Sequence, residues 1–123
     1  MTDYATKTGR PPSFRIKYRW ITEQEGAIHQ RPFQHMRSDF LYEGDDPAKD
    51  GIHMIWPEFE AIDGTPLEEG ADVPIDGTAS MWILDPQRVS YHARRLSPGV
   101  RGYLVVGAHK IAEAEVLETL DLP

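Results

Sequence analysis

The chain has 123 residues, contains no cysteine and carries a formal net charge of −7. This length is typical of one domain with its own core, and the lack of cysteine excludes disulfides, thiolate nucleophiles and thiolate metal sites. No apolar run approaches the roughly 20 residues of a membrane-spanning helix, and the N-terminus lacks the apolar core of a signal peptide. We therefore expect a cytoplasmic protein with no membrane partner.

Charge is segregated along the chain. Residues 1–40 hold seven Lys/Arg and four Asp/Glu, residues 41–87 hold one lysine and twelve acids, and residues 88–123 hold five bases and four acids. The acidic middle would repel a phosphate backbone, whose binding needs several Lys/Arg contacts. Two interpretations stay open for it: the acids keep the protein soluble, or they form a face that meets a basic partner.

The first strand is the clearest local signal. Residues 1–12 are polar, which predicts a flexible lead-in before a single domain over residues 13–123. From Phe14 to Ile21, apolar and basic residues alternate. Successive side chains of a strand point to opposite faces, so this pattern predicts one buried and one wet face. The apolar face consists of Phe14, Ile16, Tyr18 and Trp20.

The remaining elements are predicted to be short strands separated by turns, in keeping with ten Pro and ten Gly. Strands are predicted at Ser38–Tyr42, Ile52–Trp56 (ended by Pro57), Ala79–Leu84, Val89–Ala93 and Arg101–Val106. Turns or loops are predicted at Glu25-Gly26, Pro32-Phe33, Glu43–Gly51, Asp63-Gly64, Glu69-Gly70, Asp76-Gly77 and Pro98-Gly99. Ala79–Leu84 is apolar on both faces, as expected of a strand packed on both sides. Core packing is the expectation for Trp20, Trp56 and Trp82.

The tail is ambiguous by propensity. Lys110–Leu120 is rich in Ala, Glu and Leu, which favours a helix. Ala112, Ala114 and Val116 nevertheless alternate with glutamates, although imperfectly, and this pattern also permits a strand.

The order of landmarks resembles a known domain. These landmarks are Phe14–Ile21, Glu25-Gly26, Pro32-Phe33, Arg37 with Phe40, the turn at Gly77, Gly99-Val100-Arg101, Gly107 and the closing segment Lys110–Leu117. Their order and spacing resemble the C-terminal β-barrel domain of elongation factor Tu, over about residues 13–120. The resemblance implies an all-β fold, an antiparallel six-stranded barrel, and it implies a strand at Lys110–Leu117.

The resemblance also bears on partners. In that family the domain helps to bind the T-arm of aminoacyl-tRNA and contacts the GTP-binding domain. This chain has no G-x-x-x-x-G-K-[ST] phosphate loop, so we expect neither GTP binding nor GTP hydrolysis. Ile28 stands where the family has an arginine, in the segment that runs from Gly26 through His29 to Pro32-Phe33. The family's arginine in the final hairpin falls near His109. Without arginine at these two positions, the chain is not expected to bind tRNA.

No catalytic or metal motif is present. The five histidines have no known zinc-ligand spacing, the aspartates at 45, 46 and 50 lack the spacing of a calcium loop, and the serines lack a nucleophile-elbow context. The histidines are His29, His35, His53, His92 and His109. Glu58 and Glu60 would share one face of a strand as exposed polar residues. The sequence therefore predicts a non-catalytic protein without a cofactor or a metal.

The candidate binding residues are Arg15, Lys17 and Arg19, which form a basic stripe on the wet face of the first strand, together with Arg37. They could contact phosphates or an acidic protein, so the partner is expected to be a protein or an RNA. The alternative is a solvated face whose charges lie opposite acids on a neighbouring strand.

Three functions stay open at this point. The first is a binding module connected with translation. The second is a small enzyme with a histidine–carboxylate site at the barrel mouth. A deep pocket that brings His35 or His92 within reach of Asp39 or Glu58 would favour this enzyme. The third is a regulatory or immunity-type mimic that competes for the partners of elongation factor Tu.

Overall fold

The computed structural model describes residues 4–21, 32–107 and 109–123. The predicted loop at Glu25-Gly26, the matched segment through Ile28 and His29, and the first three residues lie outside these ranges. The strands are β1 Phe14–Trp20, β2 Asp39–Tyr42, β3 Ile55–Phe59, β4 Asp76–Ile83, β5 Arg101–Val106 and β6 His109–Thr119. The helices are α1 Tyr4–Thr8 and α2 Val89–Arg95, the second preceded by a 3-10 turn at Pro86–Arg88.

The strands form one curled antiparallel sheet, a half-barrel, in the order β2-β5-β6-β1-β4-β3. Its two edges approach one another, and within the three described ranges one bridge joins them. Phe40 on β2 and His53, two residues before β3, exchange two backbone hydrogen bonds of 2.9 Å each. The predicted all-β class with six antiparallel strands is confirmed.

The core lies inside the curl. The four apolar residues of β1 are buried, with exposed fractions from 0 to 8%, as the alternation predicts. Aromatic contacts cross the interior between strands that are not neighbours in the sheet. The rings of Phe14 on β1 and Phe40 on β2 lie 6.0 Å apart, and those of Tyr18 and Phe59 lie 5.1 Å apart. Such ring pairs stabilise the fold beyond their buried area alone.

The tail is a strand. Lys110–Leu117 lies within β6, which pairs with β1 on one side and with β5 on the other. Two long ladders fix its backbone, so tertiary pairing overrides the helix propensity of its alanines and glutamates. The predicted strand at Arg101–Val106 is also confirmed.

The strand prediction for Val89–Ala93 is wrong, because this segment is helix α2. The helical start is set upstream: Asp85 accepts the backbone N–H of Gln87, and Pro86 occupies the first helical position. Aspartate followed by proline is a favourable start for helical structure. Val89 and Tyr91 favour a strand by propensity, but this preference is weak and depends on the surrounding structure.

Two boundaries of the sheet also differ from the prediction. Pro57 does not end the third strand but lies inside it, opposite Met81. β3 is an edge strand, where the missing N–H of proline need not interrupt a ladder. Asp76-Gly77 begins β4 instead of forming a turn. A Cβ at Gly77 would lie 3.1 Å from the Tyr18 hydroxyl oxygen, so a close approach of this side chain accounts for the glycine.

The N-terminal segment, predicted as a flexible lead-in, makes defined contacts from residue 4 onward. Tyr4 is buried, and the Trp82 indole N–H donates to the carbonyl of Arg10 at 3.1 Å. The Arg10 guanidinium donates in turn to the carbonyl of Ile83 at 3.0 Å. This cover on the outer face explains why β4 is apolar on both faces. No helix in the three described ranges is long and apolar enough to cross a membrane.

We expect Trp20→Ala to lower the free energy of unfolding by about 3–5 kcal/mol, the usual range for removing a core aromatic. The indole Nε1 is buried without a hydrogen-bond partner among the described residues. Trp20→Phe keeps an aromatic ring and removes that unsatisfied donor, so its cost should be much smaller. Denaturant unfolding measures both variants. A loss below about 1 kcal/mol for Trp20→Ala would contradict the burial of this face.

Candidate functional site

The basic stripe faces a row of glutamates. Arg15, Lys17 and Arg19 lie on the outer face of β1, and each is within ion-pair distance of a glutamate at the matching position of β6. The pairs are Arg15–Glu118 at 2.8 Å, Lys17–Glu115 at 3.8 Å and Arg19–Glu113 at 3.4 Å. Each cation of the stripe therefore has an acidic partner on β6. The stripe is one half of a charge ladder, the alternative that the sequence left open.

Arg15 is a structural residue. Its guanidinium also binds Glu60 at 2.7 Å, and Glu60 is a buried carboxylate that accepts hydrogen bonds from the hydroxyls of Thr78 and Ser80. Burial raises the pKa of Glu60, but the bonds from Arg15, Thr78 and Ser80 together hold it below its usual value. Taking Arg15 away would leave this carboxylate buried without its counter-charge, which is costly.

The other outer-face cations border a concave surface of about 400 Å³. We call it the outer-face groove, and its charged residues are Lys17, Arg19, Arg101, Asp76, Glu113 and Glu115. The side chains of Lys17, Arg19 and Arg101 are 60, 43 and 53% exposed. Arg101 lies 3.3 Å from Glu115 and 3.7 Å from Glu43. Positive and negative groups therefore alternate across an accessible surface.

Arg37, which was expected to act together with the stripe, contacts a tryptophan on a different strand. Its guanidinium carbon lies 5.2 Å from the ring centroid of Trp56, a cation–π contact on β3. In the sheet, β4 lies between β3 and the stripe on β1. Trp56 is half-buried, whereas Trp20 and Trp82 are buried as predicted.

His35 is within reach of Glu58, one of the contacts that would favour an enzyme. The His35 Nε2 lies 2.7 Å from a carboxylate oxygen of Glu58, and both side chains are almost fully buried. Tyr4 covers the pair: its ring stacks on His35 at 4.5 Å, and its backbone N–H donates to Glu58 at 3.0 Å. The pair therefore anchors the N-terminal segment to the outside of the sheet. His35 also lines a cavity of about 410 Å³, whose lining does not include Glu58.

A second group of buried polar side chains was missed by the sequence analysis. His92 binds the Tyr42 hydroxyl through Nδ1 at 2.8 Å, and its ring meets the edge of His53 at a centroid distance of 4.6 Å. We call Tyr42, His53 and His92 the histidine cluster. Its partners are not Asp39 or Glu58. The three residues come from β2, the segment before β3 and α2, so no sequence spacing carried the signal.

The histidine cluster is held in a cationic setting. The Arg95 guanidinium lies 3.8 Å from the Tyr42 ring centroid and is held by Asp45 at 2.9 and 3.0 Å. Burial lowers the pKa of His92 to about 4, with His53, Arg88 and Arg95 acting in the same direction. Burial also lowers the pKa of His53. Both rings are therefore uncharged at neutral pH. In the described part of the chain, no three His, Asp or Glu side chains could hold a metal ion.

We expect acid to destabilise the fold through His92. Its folded-state pKa of about 4 lies below the unfolded value of about 6.5, so the unfolded chain takes up protons first. Stability is full above about pH 6.5 and is lost as the pH falls towards 4. The contribution between pH 7 and pH 5 is about 1–2 kcal/mol.

Denaturant unfolding across this pH range tests the expectation. His92→Gln cannot titrate and should show a shallower pH dependence, while the matched control His109→Gln, on an exposed histidine, should follow the unmodified chain. Equal pH dependence in all three proteins would show that His92 is not the group responsible.

A scan against protein-family models and a search of curated proteins found no match to this chain. The function proposed below therefore rests on the geometry of the described residues and on the landmarks in the sequence.

Proposed function

We propose that this chain is a non-catalytic binding module that holds a protein partner on the outer-face groove. The observation that supports it is the groove itself, a concavity of about 400 Å³ bordered by three well-exposed cations and three acids. Arg15 is not part of this contact surface, because its guanidinium is committed to Glu60 and Glu118. Lys17 and Arg19 keep their proposed role, and Arg101 joins them.

The mixed charge favours a protein over an RNA. Glu113 and Glu115 lie within 4 Å of the cations, so a phosphate backbone drawn to Lys17 or Arg19 would meet carboxylates at the same place. A protein segment that carries both signs can pair with both. Ile75, which is 60% exposed and directly precedes Asp76 of the groove, offers an apolar contact beside the charges. Charged contacts of this kind set orientation and specificity more than affinity.

The connection with translation is the part of the proposal that rests on the resemblance. The landmark order is similar to that of the C-terminal domain of elongation factor Tu, and the six antiparallel strands fit what that resemblance implies. The partner is then a protein of the cytoplasmic translation apparatus. The isoleucine and histidine at the family's cation positions disfavour tRNA itself.

We expect the triple variant Lys17→Gln, Arg19→Gln, Arg101→Gln to lose partner capture by about tenfold or more, because it removes the three cations that the described residues contribute to the groove. The chain is used to capture protein and RNA from native lysate, both identified by mass spectrometry. The matched control neutralises three exposed cations outside the groove, Lys7, Lys49 and Arg94. Capture by the unmodified chain should weaken as salt rises.

Two results would contradict the proposal. One is equal capture of the same protein by the groove variant and the control. The other is capture that disappears after ribonuclease treatment, which would make RNA the ligand. Arg15 is left unchanged in both variants because its replacement would destabilise the fold, unlike an exposed stripe residue.

A further inference from the structure

A second cavity, of about 300 Å³, lies beside the histidine cluster and shares no lining residue with the outer-face groove. Its lining includes His53, Met54, Ile83, Arg88 and His92. We propose that this cavity binds a small organic oxyanion, a carboxylate or phosphate head on an apolar body, through Arg88 and His53. This site goes beyond the proposed binding of a protein partner and does not depend on it.

His53 supplies an unused polar atom. The residue is only 7% exposed, and its Nε2 is buried with no hydrogen-bond partner among the described residues. Its backbone N–H and C=O are already bound to Phe40. A neutral imidazole that carries its proton on Nε2 donates one hydrogen bond from there. Buried polar atoms without partners are rare and costly, and a turn of the ring that brings Nε2 from its buried position to an acceptor oxygen in the cavity would satisfy this one.

Arg88 supplies the positive charge. Its guanidinium carbon lies 4.3 Å from the ring centroid of Tyr91. Among the described residues, no carboxylate lies within ion-pair distance of this guanidinium. Arg95 on the same side of the fold differs, because Asp45 occupies its guanidinium. A guanidinium stacked on an aromatic ring keeps its N–H groups available, and their planar arrangement matches carboxylate and phosphate oxygens.

Two aspartates also line the cavity, and their carboxylates already accept backbone hydrogen bonds. Asp85 accepts the N–H of Gln87 at 3.0 Å, and Asp50 accepts the N–H of Asp46 at 2.8 Å. Arg88 and Arg95 both lower the pKa of His92, whereas Asp45 raises that of His53, and of these three only Arg88 lines the cavity, so the positive charge available to a ligand there is that of Arg88.

Apolar side chains define the rest of the ligand. Ile83 is buried in the wall, and Met54 is 55% exposed at the cavity. Contact with these two side chains favours a ligand with a hydrocarbon or aromatic body over a bare inorganic ion, since apolar walls with a few placed polar groups are typical of small-molecule sites.

The test uses the full chain with three probes: benzoate, phenyl phosphate and the uncharged benzamide. We expect saturable binding of benzoate, phenyl phosphate or both by calorimetry, together with shifts of the His53 ring signals in the NMR spectrum. Arg88→Met should weaken binding by about tenfold or more. The matched control is Arg94→Met, on an exposed arginine of α2 outside the cavity, and it should bind as the unmodified chain does.

The probes separate the two head groups. Binding of benzoate alone identifies a carboxylate ligand, binding of phenyl phosphate alone identifies a phosphate, and binding of both supports the shared oxyanion chemistry. The proposal is overturned if neither anion saturates below about 10 mM, if benzamide binds as tightly as benzoate, or if the Arg94 and Arg88 variants lose binding equally. Bound anion without a shift at His53 would also overturn it.

Discussion

The structure depends on the two-residue alternation of β1. This strand pairs with β4 on one side and β6 on the other, so its register decides which side chains enter the core and which meet the acids outside. A slip of one residue would bury the basic stripe and expose the four apolar residues. The same register therefore specifies the aromatic interior and the outer charge ladder, and neither can change alone.

The histidine cluster lies where the sheet has the fewest backbone hydrogen bonds between strands. β1 has full ladders on both sides, whereas the two sheet edges meet through the bridge between Phe40 and His53. The histidine cluster lies at this seam, and α2 contributes His92 to it. His53 therefore contributes its backbone to the bridge and its side chain to the histidine cluster.

The sequence was most informative where the pattern within a single strand indicates which of its faces is buried. The alternation at Phe14–Ile21 and the apolar run at Ala79–Leu84 identified buried faces, because the period of two is a local property. Arg101–Val106 was found for the same reason. α2 was missed because its start lies in the Asp85–Pro86 cap, upstream of residues with strand propensity. Pro57 was misplaced because edge strands tolerate proline, and edges are a property of the whole sheet.

The sites were harder to predict than the fold because they depend on register between distant segments. The glutamates of β6 were visible, but their pairing with the stripe needed the β1–β6 ladder, which contains an irregularity between Arg15 and Ile16. The histidine cluster required three segments to converge, and one of them had been assigned to the wrong element. The cover of His35 and Glu58 by Tyr4 depends on contacts between segments more than 30 residues apart, which no local pattern in the sequence indicates.

Two of the tryptophans can report on whether the N-terminal segment, residues 4–10, is in place. Trp82 is buried beneath Tyr4, with its ring 5.7 Å away in an edge-on contact, and Trp56 is half-buried 6.2 Å from the same ring. Trp20 belongs to the core of the sheet and would report only on global unfolding. Lifting residues 4–10 would hydrate two of the three indoles and remove the carbonyl acceptor of Trp82 while β1 stayed intact. The intrinsic fluorescence of the chain can therefore distinguish detachment of its N-terminal segment from loss of the fold.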